Sequence, residues 1–452
     1  MIDRLVIFGG TGDLTGRYLL PALAALQAGG HLSEGFELIG ASRQDWDDEQ
    51  FRSWAASWLL RAADETDVSA AEAVVRSSRY RRLDLGDPAS VSACLPGEAP
   101  VAVYLALPPA VFPAAVSALD RVGLPADSQM VFEKPFGEDL ESAMALNRLV
   151  ASVVDERHVF RVDHFLAMTT VQNVLGTRLA NRVLEPIWNS AQIDEVEIIW
   201  EESLALEGRA GYYDDVGALK DMVQNHLLQV LCLVAMEPPI SIGERDLRDR
   251  KVDVLRSVRP FADEDVAART RRARYRAGRV GNRDIPAYVD EDGVTPEHGT
   301  ETFAEVVLAL DSWRWSGTRF RLRTGKALGE DRKEVVVHFR HVPHLPFAPE
   351  PVSNRLRFGL DPEGLSLELS GTGPGVASQL VPLTLSAGME PPELPAYGRI
   401  LLDVLRGNST LSIRADEAEE AWRILTPVLE GWARDLAPLD EYDAGSDGPP
   451  RR

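Results

Sequence analysis

At 452 residues the chain exceeds the usual size of one domain, so two domains, or one large one with an elaborated partner, are expected. A hydrophobic fraction of 45% beside 26% charged residues is that of an ordinary globular enzyme. The formal net charge of −22 argues against nonspecific attraction to nucleic acid or anionic membranes, and it demands a local basic feature wherever a phosphorylated ligand binds.

The chain opens on MIDRLVIFGG, a short apolar run entering a glycine turn, which reads as a strand and not as a signal peptide. No apolar stretch approaches the ~20 residues of a membrane span, so a cytoplasmic protein is expected. Over the first ~160 residues, strand-like and helix-like patterns alternate. Strands are expected at Leu5–Phe8, Glu37–Gly40, Val101–Ala106 and Met130–Glu133, with amphipathic stretches such as Tyr18–Leu26 and Asp47–Leu60 between them. That alternation predicts a doubly wound α/β domain over 1–165. Cys94 and Cys232 match no metal or redox spacing, and Cys232, inside LLQVLCLVAM, reads as a buried thiol in a reducing compartment.

From Leu166 the texture changes. A helical run Val171–Leu179 precedes the alternating EVEIIWEES, and ETFAEVVLAL, TRFRLRTG, KEVVVHFRHV, RLRFGL and LSLELSG follow as further strands. Consecutive strands with short turns predict an α+β domain with an antiparallel sheet over 166–436. The charged segment Arg256–Gly299 reads as a mobile cover or an extended connection, and 437–452 has the composition of a disordered tail.

Two regions carry chemistry. In IFGGTGDLTGRYLLPAL, Gly9, Gly10 and Gly12 stand between strand and helix, where a backbone can approach a pyrophosphate at a helix N-terminus. The sixth position counted from Gly10 is Thr15, so the fingerprint is not strict and an ordinary tight turn is the alternative. The second strand ends in Ala41, Ser42 and Arg43, where an acid would serve the ribose of NAD. Small residues and an arginine favour the 2′-phosphate of NADP, with a plain surface arginine as the alternative. YLALPP, with Pro108, would wall the nicotinamide ribose, and Lys134 in FEKPFGED sits where a cationic donor would meet a ligand. The second region pairs RVDHFLAMTTVQN with GYYDDVGALKDMVQNHLLQVL. Oxidising a hydroxyl beside a dinucleotide needs a base, and a histidine tuned by a carboxylate serves near neutral pH. Asp163, His164 and His226 are candidates in a chain with 8 histidines, although a helical histidine is as readily plain filler.

GGTGDL, ASR, YLALPP, EKPFG, RVDH, VQN, EPIWN, GYYDDVGALKDMVQNHLLQ, AMEPP, TETF, RTGKAL and RADEAEEAWRI follow one another from Gly9 to Ile424. In that order they resemble the glucose-6-phosphate dehydrogenases over nearly the whole chain. The resemblance implies a Rossmann-like NADP domain, a larger domain with a broad, mostly antiparallel sheet, and a homodimer or homotetramer. It implies that His226 is the general base, Asp163 its orienting carboxylate and Lys134 a donor bridging sugar and nicotinamide. Glu202, Asp221 and Lys326 match groups that bind the sugar, and His164 matches a ligand of its 6-phosphate. Gly9, Gly12, Asp13, Leu14, Arg43, Pro108 and Lys134 match the cofactor side, and no metal is implied.

The sequence also departs from that family. Where the family reads R-I-D-H-Y-L-G-K-E, this chain has Phe165 for the tyrosine and Met168 for the lysine; both lost groups normally face the phosphate. Asp331 stands where an arginine or lysine is usual, with Arg332 and Lys333 beside it, and Tyr18 replaces a lysine. Each charge-assisted phosphate contact is worth ~1.5–3 kcal/mol, so two or three losses amount to orders of magnitude in affinity. Three readings stay open: a glucose-6-phosphate dehydrogenase, a paralogue for a hexose modified or unphosphorylated at its 6-position, and a noncatalytic NADP-binding regulator.

Overall fold

The computed structural model describes residues 1–62, 67–208, 210–347, 353–373 and 380–450. The chain forms two compact units. The first comprises Met1–Ala167, Ile240–Arg248 and Pro392–Glu419; the second comprises Met168–Pro239, Asp249–Pro391 and Glu420–Arg452. The expected boundary near 165 therefore marks where the chain first leaves one unit, but two later segments return to it.

The first unit is built on six parallel strands: β1 (Arg4–Phe8), β2 (Glu37–Ser42), β3 (Ser78–Arg82), β4 (Ala102–Leu105), β5 (Gln129–Phe132) and β6 (Val159–Arg161). Their order is β3-β2-β1-β4-β5-β6. Because β1 lies between β2 and β4, the strand order reverses there, and Phe8 is level with both Ala41 and Leu105. Such a reversal opens a crevice at the carboxyl ends of the strands. The central strands are apolar on both faces, as a covered parallel sheet requires: Leu5, Val6, Ile7 and Phe8 are all fully buried. Helix Leu20–Ala28 packs Leu20, Leu23 and Leu26 into the same core as Leu401, Val404 and Leu405 from helix Ala396–Arg406. The Ile2 amide donates to the Leu405 carbonyl at 2.7 Å.

The strands expected from periodicity are present within two residues at their ends. Two more were missed, β3 and β6. Both are sheet edges, and β3 reads SRYRR, whose arginines are not the apolar signature of a central strand. Its Tyr80 is buried and donates its hydroxyl to the carbonyls of Ser42 and Gln44.

The second unit contains a nine-stranded sheet and a small hairpin. Its strands are β7 (Ile193–Glu201), β8 (Thr270–Arg276), the hairpin β9 (Gly278–Val280) with β10 (Arg283–Ile285), β11 (Phe303–Leu308), β12 (Arg319–Gly325), β13 (Arg332–Phe339), β14 (Arg355–Asp361), β15 (Glu363–Thr372), β16 (Leu380–Gly388) and β17 (Leu439–Asp443). The order is β16-β15-β14-β13-β7-β12-β11-β8-β17, antiparallel except for the pairs β7–β12 and β8–β17. One face is laced with ion pairs. Burial alone would raise the Glu197 carboxyl, but the hydrogen bond from His338 and the guanidinia of Arg332 and Arg321 outweigh it and hold it at about 2.

Two expectations fail here. Arg256–Gly299 is neither cover nor loose connection: it contains helix Asp263–Arg269, β8 and the hairpin. Its arginines looked solvated, yet Arg272 is buried, with its guanidinium on the Ala437 carbonyl and Asp435, each at 2.9 Å. Nor is 437–452 a disordered tail over its described part. β17 adds to the sheet with Leu439 level with Arg272 and Tyr442 level with Tyr275. The acidic composition of that strand is answered by the arginines of β8, as in the Arg276–Asp443 pair at 2.7 Å.

Candidate active site

In the first unit, the strand reversal produces a cleft of about 640 Å³. Gly9, Thr11 and Gly12 line it after β1, Ser42, Arg43 and Gln44 after β2, Arg82 to Leu85 after β3, and Ala106 to Pro108 with Val111 after β4. Gly9 adopts φ +88°, and a Cβ there would collide with the Ala106 carbonyl oxygen. A Cβ on Gly10 would lie 2.7 Å from the Gly40 Cα. The first two glycines thus serve the close approach of neighbouring strands, and their amides donate to the Ala41 carbonyl at 2.8 and 3.1 Å. Gly12 opens the cleft floor.

Asp13 and Leu14 do not line this cleft. Asp13 pairs with Arg17 at 3.2 Å in the open, and Leu14 packs against the core. Lys134 stands outside the cleft lining too, just beyond β5. Arg82 was missed by sequence reasoning because it ends a strand that carries no apolar signal. It lines the same cleft as Arg43, so two arginines border it.

Beyond β5 lies an acid that sequence reasoning passed over. Glu133 accepts the Tyr104 hydroxyl at 2.5 Å. Burial pushes its carboxyl up to about 7, against the hydrogen bonds of Tyr104 and Tyr397 and the charge of Lys134, while Asp163 adds to the rise. Asp163 is buried and accepts the Phe165 amide at 2.9 Å, which shapes the turn that presents His164.

In the second unit, His226 is 1% exposed within the π-helical segment Leu219–Leu227. The segment begins on a buried carboxylate: Glu301 Oε1 accepts the Leu219 amide at 2.9 Å, and burial pushes Glu301 up to about 7. Asp221 lies on the same segment, where its charge helps hold the buried Tyr213 hydroxyl protonated. Lys326 follows β12, Glu202 follows β7, and the two are joined at 2.8 Å. The loop that carries Lys326 is fixed from several sides. Lys326 donates its amide to Thr302, Ala327 to Leu204 and Leu328 to Glu202, while Tyr442 donates its hydroxyl to the Lys326 carbonyl at 2.6 Å. Ala327 is held at φ +52°, a left-handed conformation that a non-glycine residue adopts only when its surroundings impose it.

Of the predicted substrate residues, Glu202 and Lys326 are in contact, and His226 and Asp221 share one segment. Asp163, His164 and Lys134 belong to the other unit. The family model described as "Glucose-6-phosphate dehydrogenase, NAD binding domain" matches residues 6–173, and "Glucose-6-phosphate dehydrogenase, C-terminal domain" matches 175–452. The chain belongs to the glucose-6-phosphate dehydrogenase family.

Glucose-6-phosphate 1-dehydrogenase of Mycolicibacterium smegmatis is 40% identical, with 98% of this chain and 94% of that protein covered. The enzyme of Zymomonas mobilis is 36% identical, over 99% and 96%. A crystal structure of glucose-6-phosphate 1-dehydrogenase from Mycobacterium avium superimposes with a TM-score of 0.88 at 34% identity, covering 99% of this chain and 95% of that one. A structure titled glucose-6-phosphate dehydrogenase in complex with its substrate glucose-6-phosphate does so with 0.90 at 29%, with the same coverage.

The departures from the glucose-6-phosphate dehydrogenase pattern have definite places. Asp331 accepts the Ser203 amide at 2.6 Å. Burial would raise its carboxyl, but that bond and Lys333 hold it below the usual range. Lys333 itself is bound to Asp361 at 2.8 Å, and Arg332 to Glu334 at 2.5 Å. The two cations that follow Asp331 are therefore engaged by carboxylates of their own sheet. Phe165 is buried, as its missing hydroxyl permits.

Proposed function

We propose that the chain oxidises glucose 6-phosphate at its anomeric carbon to the 6-phosphogluconolactone, with NADP as the oxidant. The observation that carries this reading is full-length kinship with the glucose-6-phosphate 1-dehydrogenases together with retention of His226, Asp163, Lys134, Glu202, Asp221 and Lys326.

Bound NADP supplies the hydride acceptor. Everything else falls to the chain. His226 removes the proton of the anomeric hydroxyl as the carbonyl of the lactone forms, and Asp163 orients the imidazole and stabilises its protonated form. Lys134 bridges the sugar and the nicotinamide. Lys326, already turned by Glu202, presents its ammonium to a sugar hydroxyl while Glu202 and Asp221 accept from others. His164 meets the phosphate. For the cofactor, Arg43 and Arg82 line one cleft, and two guanidinia suit a 2′-phosphate better than a ribose hydroxyl.

Met168, Phe165, Tyr18 and the engaged Asp331 favour a second reading, a hexose without the 6-phosphate. Initial rates with glucose 6-phosphate, glucose and glucosamine, each with NADP and NAD, separate the two. Turnover of glucose 6-phosphate at a micromolar KM supports the first; preference for glucose or glucosamine overturns it. We also infer a homo-oligomer, because Leu383 and Leu385 on the edge strand β16 are 49% and 61% exposed. Light scattering during size exclusion tests that state, a monomeric mass being the adverse result. A cytoplasmic location is the reading that fits two buried free cysteines.

A further inference from the structure

Two lysines expected at the phosphate end are Met168 and Tyr18 in this chain, and a chain with a net charge of −22 offers no diffuse positive field in exchange. The first unit shows what took their place. Tyr18 stacks on Tyr397 with ring centroids 5.3 Å apart, and Tyr397 stacks on His164 at 5.8 Å with the planes only 16° from parallel. The lost ammonium at position 18 has become the outer layer of an aromatic pile that fixes the imidazole of His164. Tyr397 comes from helix Ala396–Arg406, and two residues further along that helix stands Arg399. Its Nη1 donates to the carbonyl of Ala167 at 3.2 Å, and Ala167 directly precedes Met168.

We infer that Arg399 is the cation that binds the anionic end of the sugar in this chain, in place of the absent lysines, and so determines its preference for a phosphorylated substrate. The inference rests on the glucose 6-phosphate reading and on the role proposed for His164. A guanidinium carries five N–H donors in a rigid fork matched to phosphate oxygens. The bond to Ala167 ties that fork to the turn that carries His164. The nearest acid on the helix, Asp403, lies one turn on. Burial pushes its carboxyl up, while the Asn408 amide, which donates to it at 2.8 Å, and the charge of Arg399 pull it down.

The test begins with wild-type enzyme and NADP. If glucose is turned over with a KM equal to or lower than that for glucose 6-phosphate, the functional reading falls and this inference with it. If glucose 6-phosphate is preferred, Arg399→Gln is assayed next; glutamine keeps a donor for the Ala167 carbonyl but has no charge. The expected result is a KM for glucose 6-phosphate raised about 10- to 100-fold with kcat little changed. Adding Met168→Lys to that variant restores the KM, which a purely structural role for Arg399 would not allow. A KM within about twofold of wild type, or a loss confined to kcat, overturns the inference while leaving the functional reading intact.

Discussion

Lys326 and Glu202 meet at 2.8 Å with side chains only 18% and 20% exposed. The pair joins the loop after β12 to the end of β7, two strands that run parallel with Glu201 level with Gly325. Under the proposed function, a sugar hydroxyl that entered between them would meet a donor and an acceptor already aimed. Lys326→Ala should therefore raise the KM for the sugar by ~10- to 100-fold. The Glu202→Gln/Lys326→Ala double variant should lose less than the sum of the single changes, because each partner holds the other. Steady-state kinetics on the cycle of four proteins reads both effects.

His226 is buried in a segment with few alternatives for a base. His226→Asn should lower kcat by ~10²–10⁴ while leaving the KM for the cofactor nearly unchanged. An unchanged kcat would remove the histidine from the mechanism.

For the cofactor, the cleft lining puts Arg82 on an equal footing with Arg43. Arg43→Ala and Arg82→Ala should each lower kcat/KM with NADP by ~10- to 100-fold and barely change it with NAD. Equal losses with both nucleotides would exclude a 2′-phosphate role.

Glu301 titrates far above an ordinary carboxylate, at about 7, because it is buried. A carboxyl raised in the folded state favours folding below its unfolded pKa of about 4.5 and loses that contribution as pH climbs through about 7. Wild-type stability should thus decline between those values. Glu301→Gln keeps an acceptor for the Leu219 amide and cannot ionise. It should melt at a higher temperature than wild type at pH 8 and show no such advantage at pH 5. Glu133, raised to about 7 by burial, adds to the wild-type slope in the same direction.

Tyr442 offers a prediction about positioning. Its hydroxyl donates to the Lys326 carbonyl and lies 2.9 Å from Thr302 Oγ1. Tyr442→Phe leaves a buried carbonyl without its donor and should cost about 1–3 kcal/mol of stability in denaturant titration. A rise in the KM for the sugar should accompany it if, as proposed, the ammonium of that same residue binds the substrate.

The sequence made the central strands of the first unit and the glycine turn legible because short apolar runs and turn residues are local signals. It also made the family legible, through motifs spaced along the whole chain. What it hid were features set by partners distant in sequence. β3 and β17 lack an apolar pattern, and each is stabilised by a neighbouring strand. Arg272 looked solvated until Asp435 and the Ala437 carbonyl were placed beside it. Arg82 and Tyr397 carry no motif of their own, and Glu133 stood in EKPFG with nothing to single it out; their importance lies in what surrounds them. Asp331 looked like a loss at the substrate end, but the Ser203 amide had already claimed it.

The return of helix Ala396–Arg406 to the first unit has a consequence for how the molecule is made. Leu401, Val404 and Leu405 complete a core that begins with Ile2 and Leu5, so the parallel sheet waits for residues that leave the ribosome on the order of ten to forty seconds after Ala167. Until then the nascent chain displays an apolar face that invites chaperones or aggregation. A nonsense codon between Met168 and Ala396 therefore also damages the earlier-made segment that it does not delete.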